Sequence, residues 1–457
     1  MSGRADLPPG AGAPLVALVA SAPVVAPELA LGLADGPVVF WDAPVRGRRW
    51  AFAGWGEAAR IEAQGEGALT EVAAGAARVL ARVEGWAPEA DAPGPRLFGG
   101  TAFSPGAQGA AGKGIEPPWG GFADASFVLP AWLYATDGER ARLHAVVPRE
   151  AAGTAAARRE ALCAALAALA AQRGAAVPRE APEGAPEHAE LLSPDGWHAL
   201  VRDALARFGE GSLEKVVLAA PSLLQAARPI AVAPALARLG EGYPECARFA
   251  LQRGGAIFMG ASPERLITAS GRAVEVDALA GSTLRRRGED DAAIRALLDS
   301  DKDRREHALV VEAITAVLRP VCEALEVPAA PVVRTLRNVH HLWTPIAGRL
   351  AEPAQALALA GRLHPTPAVC GTPRPGAIGW IREREPAPRG WYAGAVGWIG
   401  AGGDAALWVG IRAALVEARR AWLYAGVGLV AGSDPDAELA EARAKRRPML
   451  AALGGAP

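Results

Sequence analysis

Two short stretches of the chain carry acids at helical spacing. Asp303 and Glu306 lie three residues apart behind Ser300-Asp301, and Glu438, Glu441 and Lys445 follow Ser433-Asp434-Pro435-Asp436 at offsets of three and four. Such offsets fall on one face of an α-helix, so each stretch presents a pair of carboxylates. A capping side chain with proline in the first turn marks the start of the second helix. A pair of pairs can hold a hard cation. Mg²⁺ takes oxygen ligands in octahedral geometry, keeps several waters and is commonly completed by an anionic group on the substrate, whereas Ca²⁺ asks for more oxygens. The same spacing also describes the charged faces of ordinary surface helices, and on spacing alone that plainer reading wins.

Two glycine-bearing stretches offer other chemistry. Gly426-Val-Gly428-Leu-Val-Ala431 satisfies the dinucleotide-binding pattern and follows a predicted strand at Trp422 to Tyr424. The position about twenty residues on, where a ribose-binding acid would stand, is Pro448. Gly106 to Gly114 resembles a phosphate loop around Gly112-Lys113, but Ala107 and Gly114 occupy positions that need a glycine and a hydroxyl. The second reads as a surface loop, and the first is set aside as a cofactor turn.

These side chains need a frame to hold them. Short apolar runs punctuated by Gly and Pro, as at Pro37 to Trp41 and Ser126 to Pro130, predict strands over the first 150 residues or so. A helix is predicted from Thr154 to Gln172, and the prolines of Val177 to Pro186 predict a linker. Beyond it come a helix over Ser193 to Phe208, strands at Lys215 to Leu218 and Ala256 to Met259, and a helix over Ser300 to Leu318. The expectation is an α/β (α+β) fold with a β-rich portion over 1–190 and a catalytic portion over 191–457.

Composition narrows the function. With 457 residues, 51% hydrophobic and 21% charged, the chain can bury one large core or two ordinary ones. A net charge of −1, with no basic run longer than Arg285-Arg286-Arg287 or Arg446-Arg447, leaves no footprint for nucleic acid or an anionic membrane, and both runs read as solvated surface. The apolar stretch from Ala13 to Leu33 is broken by Pro14, Pro23 and Pro27 and cannot be one spanning helix. Cys163, Cys246, Cys322 and Cys370 match no zinc spacing, which suits a reducing cytoplasm.

A set of ordered motifs surrounds the acids. They are Lys215-Val-Val-Leu218, Gly260-Ala-Ser-Pro-Glu-Arg-Leu266, Leu279-Ala-Gly-Ser282, Lys302-Asp-Arg-Arg-Glu-His307, His341-Leu-Trp343, Leu363-His-Pro-Thr-Pro-Ala-Val369, Gly390-Trp-Tyr-Ala-Gly394 and Ala425 to Lys445. Together they closely resemble the chorismate-utilising family of isochorismate, salicylate, anthranilate and aminodeoxychorismate synthases, over roughly residues 195 to 452. Leu97 to Phe103 and Phe127 to Trp132 resemble weaker motifs of the same enzymes, which implies one large unit, an anthranilate synthase component I-like sheet core layered with helices.

The resemblance assigns roles. It implies that Glu306 and Glu441 bind Mg²⁺ directly, with Asp303 and Glu438 in support, and that the metal grips the ring carboxylate of chorismate. Tyr392, Arg412 and Lys445, with the backbone of Gly426, Val427 and Gly428, resemble the family's carboxylate-binding groups, for which an arginine fork is well shaped. Gly281 and Ser282 correspond to a further substrate-contacting pair and His341 to a histidine near the ring. The implied reaction converts chorismate to isochorismate, adding water at C2 and expelling the C4 hydroxyl. Lys215 resembles the base and Glu264 the acid, and each is expected to have its pKa moved toward neutrality by the closed site.

Ala280 stands where aminodeoxychorismate synthases place a nucleophilic lysine, so covalent catalysis there is not expected. The chain offers no Cys/His nucleophile arrangement for a glutaminase, and no such partner is expected. Salicylate synthase, which goes on to eliminate pyruvate, stays open as an alternative, as does a non-catalytic chorismate-binding protein. Three positions depart from the family pattern: Ala220 in place of arginine, His340 in place of glutamine and Ser282 in place of threonine. Pro448 is also atypical and should distort the last turn of its helix by removing the bond to the carbonyl of Ala444.

Overall fold

A computed structural model describes residues 13–45, 47–85, 93–106, 116–172, 184–285, 288–352 and 356–455. Most of the predicted linker (177–183), Gly112-Lys113 of the phosphate-loop-like stretch, and Arg286-Arg287 lie outside them. Among the described residues two large, mostly antiparallel sheets form the frame, one of 13 strands and one of 10.

Period-2 alternation explains how the sheets bury both faces. In Val38–Val45, Val39 and Trp41 enter the core shared with the other sheet, while Phe40 enters a second core on the opposite side. Phe258 and Met259 of Ala256–Ser262 divide in the same way. Trp41 meets Trp408 edge-on at 5.5 Å and Phe52 meets Phe98 at 5.5 Å, contacts that join the two sheets across the shared core. Leu236 and Leu239 of helix Val232–Gly242 and Met449 and Leu450 of helix Pro435–Ala452 pack into the second core.

Strands from both portions of the chain share each sheet. Ala247–Arg253 pairs with Val38–Val45 in the larger one, and Ala395–Gly400 pairs with Arg96–Thr101 in the smaller. At the first seam the buried Arg248 donates from Nε to Asp42 at 3.0 Å and is also paired with Glu28. The predicted strands and helices appear as Val38–Val45, Ala125–Leu129, Lys215–Gln225, Ala256–Ser262, Ala152–Ala171, Pro194–Gly209 and Asp301–Leu318.

One expectation needs correction, that of a solvated Arg446-Arg447, while the dinucleotide pattern stays set aside. Gly426 and Gly428 lie inside the extended strand Arg420–Val430 and form no turn at a helix start, so the dinucleotide pattern has no structural counterpart. Arg446 is buried, because its helical phase points it inward with Ala442 and Met449, and it pairs with Glu190 at 3.1 Å; only Arg447 of that run is exposed. The helix runs through Pro448 to Ala452, although Pro448 has no N–H for the Ala444 carbonyl.

Candidate active site

The Lys215–Gln225 and Arg420–Val430 strands pair side by side, Lys215 opposite Val430 and Val217 opposite Gly428. Their shared face lines one wall of a cleft whose other walls come from Pro263-Glu264, Leu279 to Ser282, His341, Tyr392-Ala393 and Ile411-Arg412. Gly281 shapes one wall. It sits at a bulge where Ala280 faces Leu342 and Ser282 faces His341, with a φ of +75°. Glycine takes that left-handed conformation freely, and a Cβ there would come within 3.1 Å of Asp303 Cβ. The bulge brings Ser282 opposite His341, where Ser282 Oγ and Nδ1 are 2.9 Å apart.

The histidine's protonation follows from its neighbours. Arg412 Nη2 lies 3.2 Å from His341 Nε2, and a guanidinium has only donors, so Nε2 accepts and Nδ1 carries the proton toward Ser282. Burial and the charges of Arg412 and Lys445 hold the His341 pKa far below the usual range, so the ring is neutral. Arg412 itself has a φ of 50°, an uncommon backbone state for a non-glycine residue of the kind that collects at functional sites.

Glu264 follows the Ala256–Ser262 strand in a tight connection to Arg265–Ser270, its N–H donating to Ser262 Oγ at 3.3 Å. It is 3% exposed, and burial pushes its carboxyl pKa up to about 8 against the pull of Lys215 and with a push from Asp277. It is therefore largely protonated near neutral pH. Lys215 is wholly buried, with Glu306 Oε1 3.0 Å from Nζ at an angle that makes no aligned hydrogen bond.

The two acid-bearing helices meet behind this wall. Ser300 caps Asp301–Leu318 by accepting from Asp303 N at 3.2 Å, and Asp434 caps Pro435–Ala452 by accepting from Ala437 N at 2.8 Å. Lys302 reaches across from the first to Glu438 on the second at 2.6 Å, and Lys445 pairs with Glu441 at 2.6 Å. Burial pushes Asp303 and Glu438 up, and nearby carboxylates, Glu306 and Glu441 among them, add to it. Burial also opposes ionisation of Glu306, but Lys215 and Lys445 outweigh it and hold that carboxyl low. Gly428 makes room for Glu306: a Cβ on it would stand 2.2 Å from Glu306 Oε1. Among the described residues no three acids close into a ready cage.

Tyr392 stacks on Tyr424 at 4.8 Å, and burial pushes its phenol up to about 12. Lys445 Nζ donates to the Gly426 carbonyl at 3.2 Å. Of the residues singled out from sequence, Glu264, Gly281, Ser282, Glu306, His341, Tyr392, Arg412, Gly426, Gly428 and Lys445 border the cleft, and Lys215 is buried behind its wall, with Nζ 3.0 Å from Glu306 Oε1. Glu438 and Glu441 lie beside it through the ion pairs above, Asp303 lies against Gly281, and the side chain of Val427 turns into the core. Sequence reasoning missed Arg389 and Lys302. Arg389 borders the cleft, holds Glu385 from Nε at 2.8 Å and donates from Nη1 to the Val369 carbonyl at 2.7 Å. The signal was an arginine directly ahead of Gly390-Trp-Tyr-Ala-Gly394. Two of the family departures are structural. His340 faces away from the cleft toward Thr335 and Asp290, and the carbonyl of Ala220 accepts from Arg446 Nη2 at 3.4 Å.

A two-sheet frame with a buried acid, a buried lysine and carboxylates near two helix N-termini defines a class. The chain matches the family model described as "Chorismate binding enzyme" over residues 15–454, and it belongs to that family. It is 38% identical to the salicylate biosynthesis isochorismate synthase of Pseudomonas aeruginosa, over 92% of this chain and 86% of that one. It is 37% identical to isochorismate synthase MenF of Bacillus subtilis, over 79% and 75% of the two chains. The structure of MenF, the menaquinone-specific isochorismate synthase from Escherichia coli, superposes with a TM-score of 0.76 at 26% identity, covering 96% of this chain and 95% of that one.

Proposed function

We propose that the protein is an isomerase that converts chorismate to isochorismate, adding water at C2 and expelling the C4 hydroxyl. The observation that carries this reading is Glu264, a buried carboxyl that keeps its proton to about pH 8 at the wall of a cleft that Glu306 also lines, with Lys215 buried behind Glu306. A hydroxyl is a poor leaving group and needs a proton as it departs. Glu264 supplies that proton, and Lys215 takes one from the incoming water. Arg412, Tyr392 and Lys445 bind carboxylate groups, and neutral His341 holds the Arg412 guanidinium while donating to Ser282.

The donor set suits Mg²⁺. Glu306 and Glu441 would hold it, with Asp303 and Glu438 outside them, on the first two turns of two helices where neighbouring carboxylates oppose one another's charge. When bound, the ion supplies positive charge for a substrate carboxylate. Ala280 leaves the pocket without a lysine nucleophile, and no ammonia-supplying partner is needed. Residues 1–190 and 191–457 serve as two portions of one catalytic unit. No helix among the described residues is long and apolar enough to cross a membrane, and the described cysteines are free, which supports work in the cytoplasm. Incubation with chorismate and Mg²⁺, with and without chelator, tests the reading by chromatography. Metal-dependent isochorismate is the expected product. Stoichiometric salicylate and pyruvate would reassign the reaction, and unchanged chorismate would overturn catalysis.

A further inference from the structure

Pro448 has no N–H to close a helical bond to the carbonyl of Ala444, four residues back. That bond is replaced from outside the helix. Asn338 Nδ2 donates to the Ala444 carbonyl at 2.8 Å, and Arg412 Nη1 reaches the next carbonyl, that of Lys445, at 3.4 Å. Ala444 is buried, so without Asn338 its carbonyl would lack both a helical partner and ready access to water.

Asn338 occupies the turn between strands Val332–Thr335 and Val339–Leu350, which Leu336 N closes by donating to the Val339 carbonyl at 2.9 Å. Arg285 N fixes the same turn from the other side by donating to the Asn338 carbonyl at 3.1 Å. Three residues on, the strand presents His341, which touches Ser282 and Arg412. The turn therefore grips the helix one residue before Lys445, whose Nζ meets both Glu441 and the Gly426 carbonyl.

We propose that Asn338 is a positioning residue: it replaces the hydrogen bond that Pro448 removes, and so fixes the turn bearing Glu441 and Lys445 against His341 and Arg412. The consequence for binding rests on the cleft being the chorismate site. Four variants test it, Asn338→Ala, Asn338→Asp, Pro448→Ala and the double Asn338→Ala/Pro448→Ala. Each is measured for KM and kcat of isochorismate formation, for the chorismate dissociation constant by intrinsic fluorescence, and for the urea midpoint.

Leaving the carbonyl unpaired should raise the dissociation constant and KM of Asn338→Ala about tenfold, with kcat changed less. Asn338→Asp keeps the shape without the donor and should match it. Pro448→Ala returns the backbone N–H and should behave as the parent protein, and the double variant should lie within about twofold of Pro448→Ala. A double variant as impaired as Asn338→Ala overturns the proposal. So does Asn338→Ala with a lowered urea midpoint and an unchanged dissociation constant, the pattern of a merely structural role. A parent protein that neither binds nor converts chorismate instead overturns the functional reading. The replacement bond is then judged by the urea midpoints alone, where additive effects of the two substitutions sink it and a rescue by Pro448→Ala sustains it.

Discussion

Replacing Glu264 with glutamine separates its chemistry from its cost to the fold. The carboxyl ordinarily titrates near 4.5 and here near 8, so between those values the folded protein holds a proton that the unfolded chain releases. Stability from this group is then complete below about pH 4.5, falls as pH rises through the window, and is fully lost above about pH 8. A gap of some 3.5 units corresponds to about 5 kcal/mol between the two ends. Glutamine has the same shape and no proton to lose, so Glu264→Gln should flatten that slope. In urea titrations at pH 5.5 and 8.5, the variant's margin over the parent should widen by about 3 kcal/mol from the lower pH to the higher. Its turnover should fall by about 10²–10⁴-fold, the range for loss of a general acid, and parent turnover should decline as pH rises through 8. Parallel stability profiles would refute the buried-acid account, and retained turnover would refute its role.

Lys215→Ala should abolish turnover and leave a folded protein destabilised by about 3–5 kcal/mol, because Glu306 stays buried without its counter-ion; thermal melts and product assays check both parts. Added Mg²⁺ should restore more of that loss than it adds to the parent protein. Glu441→Gln should raise the Mg²⁺ concentration needed for half-maximal rate by about tenfold without unfolding, read by metal titration with circular dichroism alongside, since it removes one of few carboxylate ligands. Gly281→Ala forces a left-handed residue with a side chain and presses on Asp303, so it should cost about 1–2 kcal/mol in urea denaturation and raise KM.

What could be read from sequence is what local spacing determines. Helix phase placed Asp303 with Glu306 and Glu438 with Glu441, and the capping residues Ser300 and Asp434 hold the helix starts as their types predict. The ordered motifs then gathered Glu264, His341 and Arg412 around one cleft, with Lys215 buried behind Glu306 at its wall. Contacts between distant segments have no local mark. The cross-helix reach of Lys302 to Glu438, the bulge at Gly281 and the inward turn of Arg446 each depend on what another element presents. Gly426-Val-Gly428 misleads for a related reason: a glycine leaves the same trace whether it opens a turn or makes room for Glu306 beside a strand.

Because Val38–Val45 and Arg96–Thr101 are interior strands, hydrogen-bonded to strands of the later portion, neither part of the chain owns a finished sheet. Severing the polypeptide near residue 180 would leave two pieces, each with long unpaired β-edges and a bared apolar face. Such pieces have reason to aggregate apart and to reassemble when made together, so a split version of the molecule would regain its cleft only as a complementing pair.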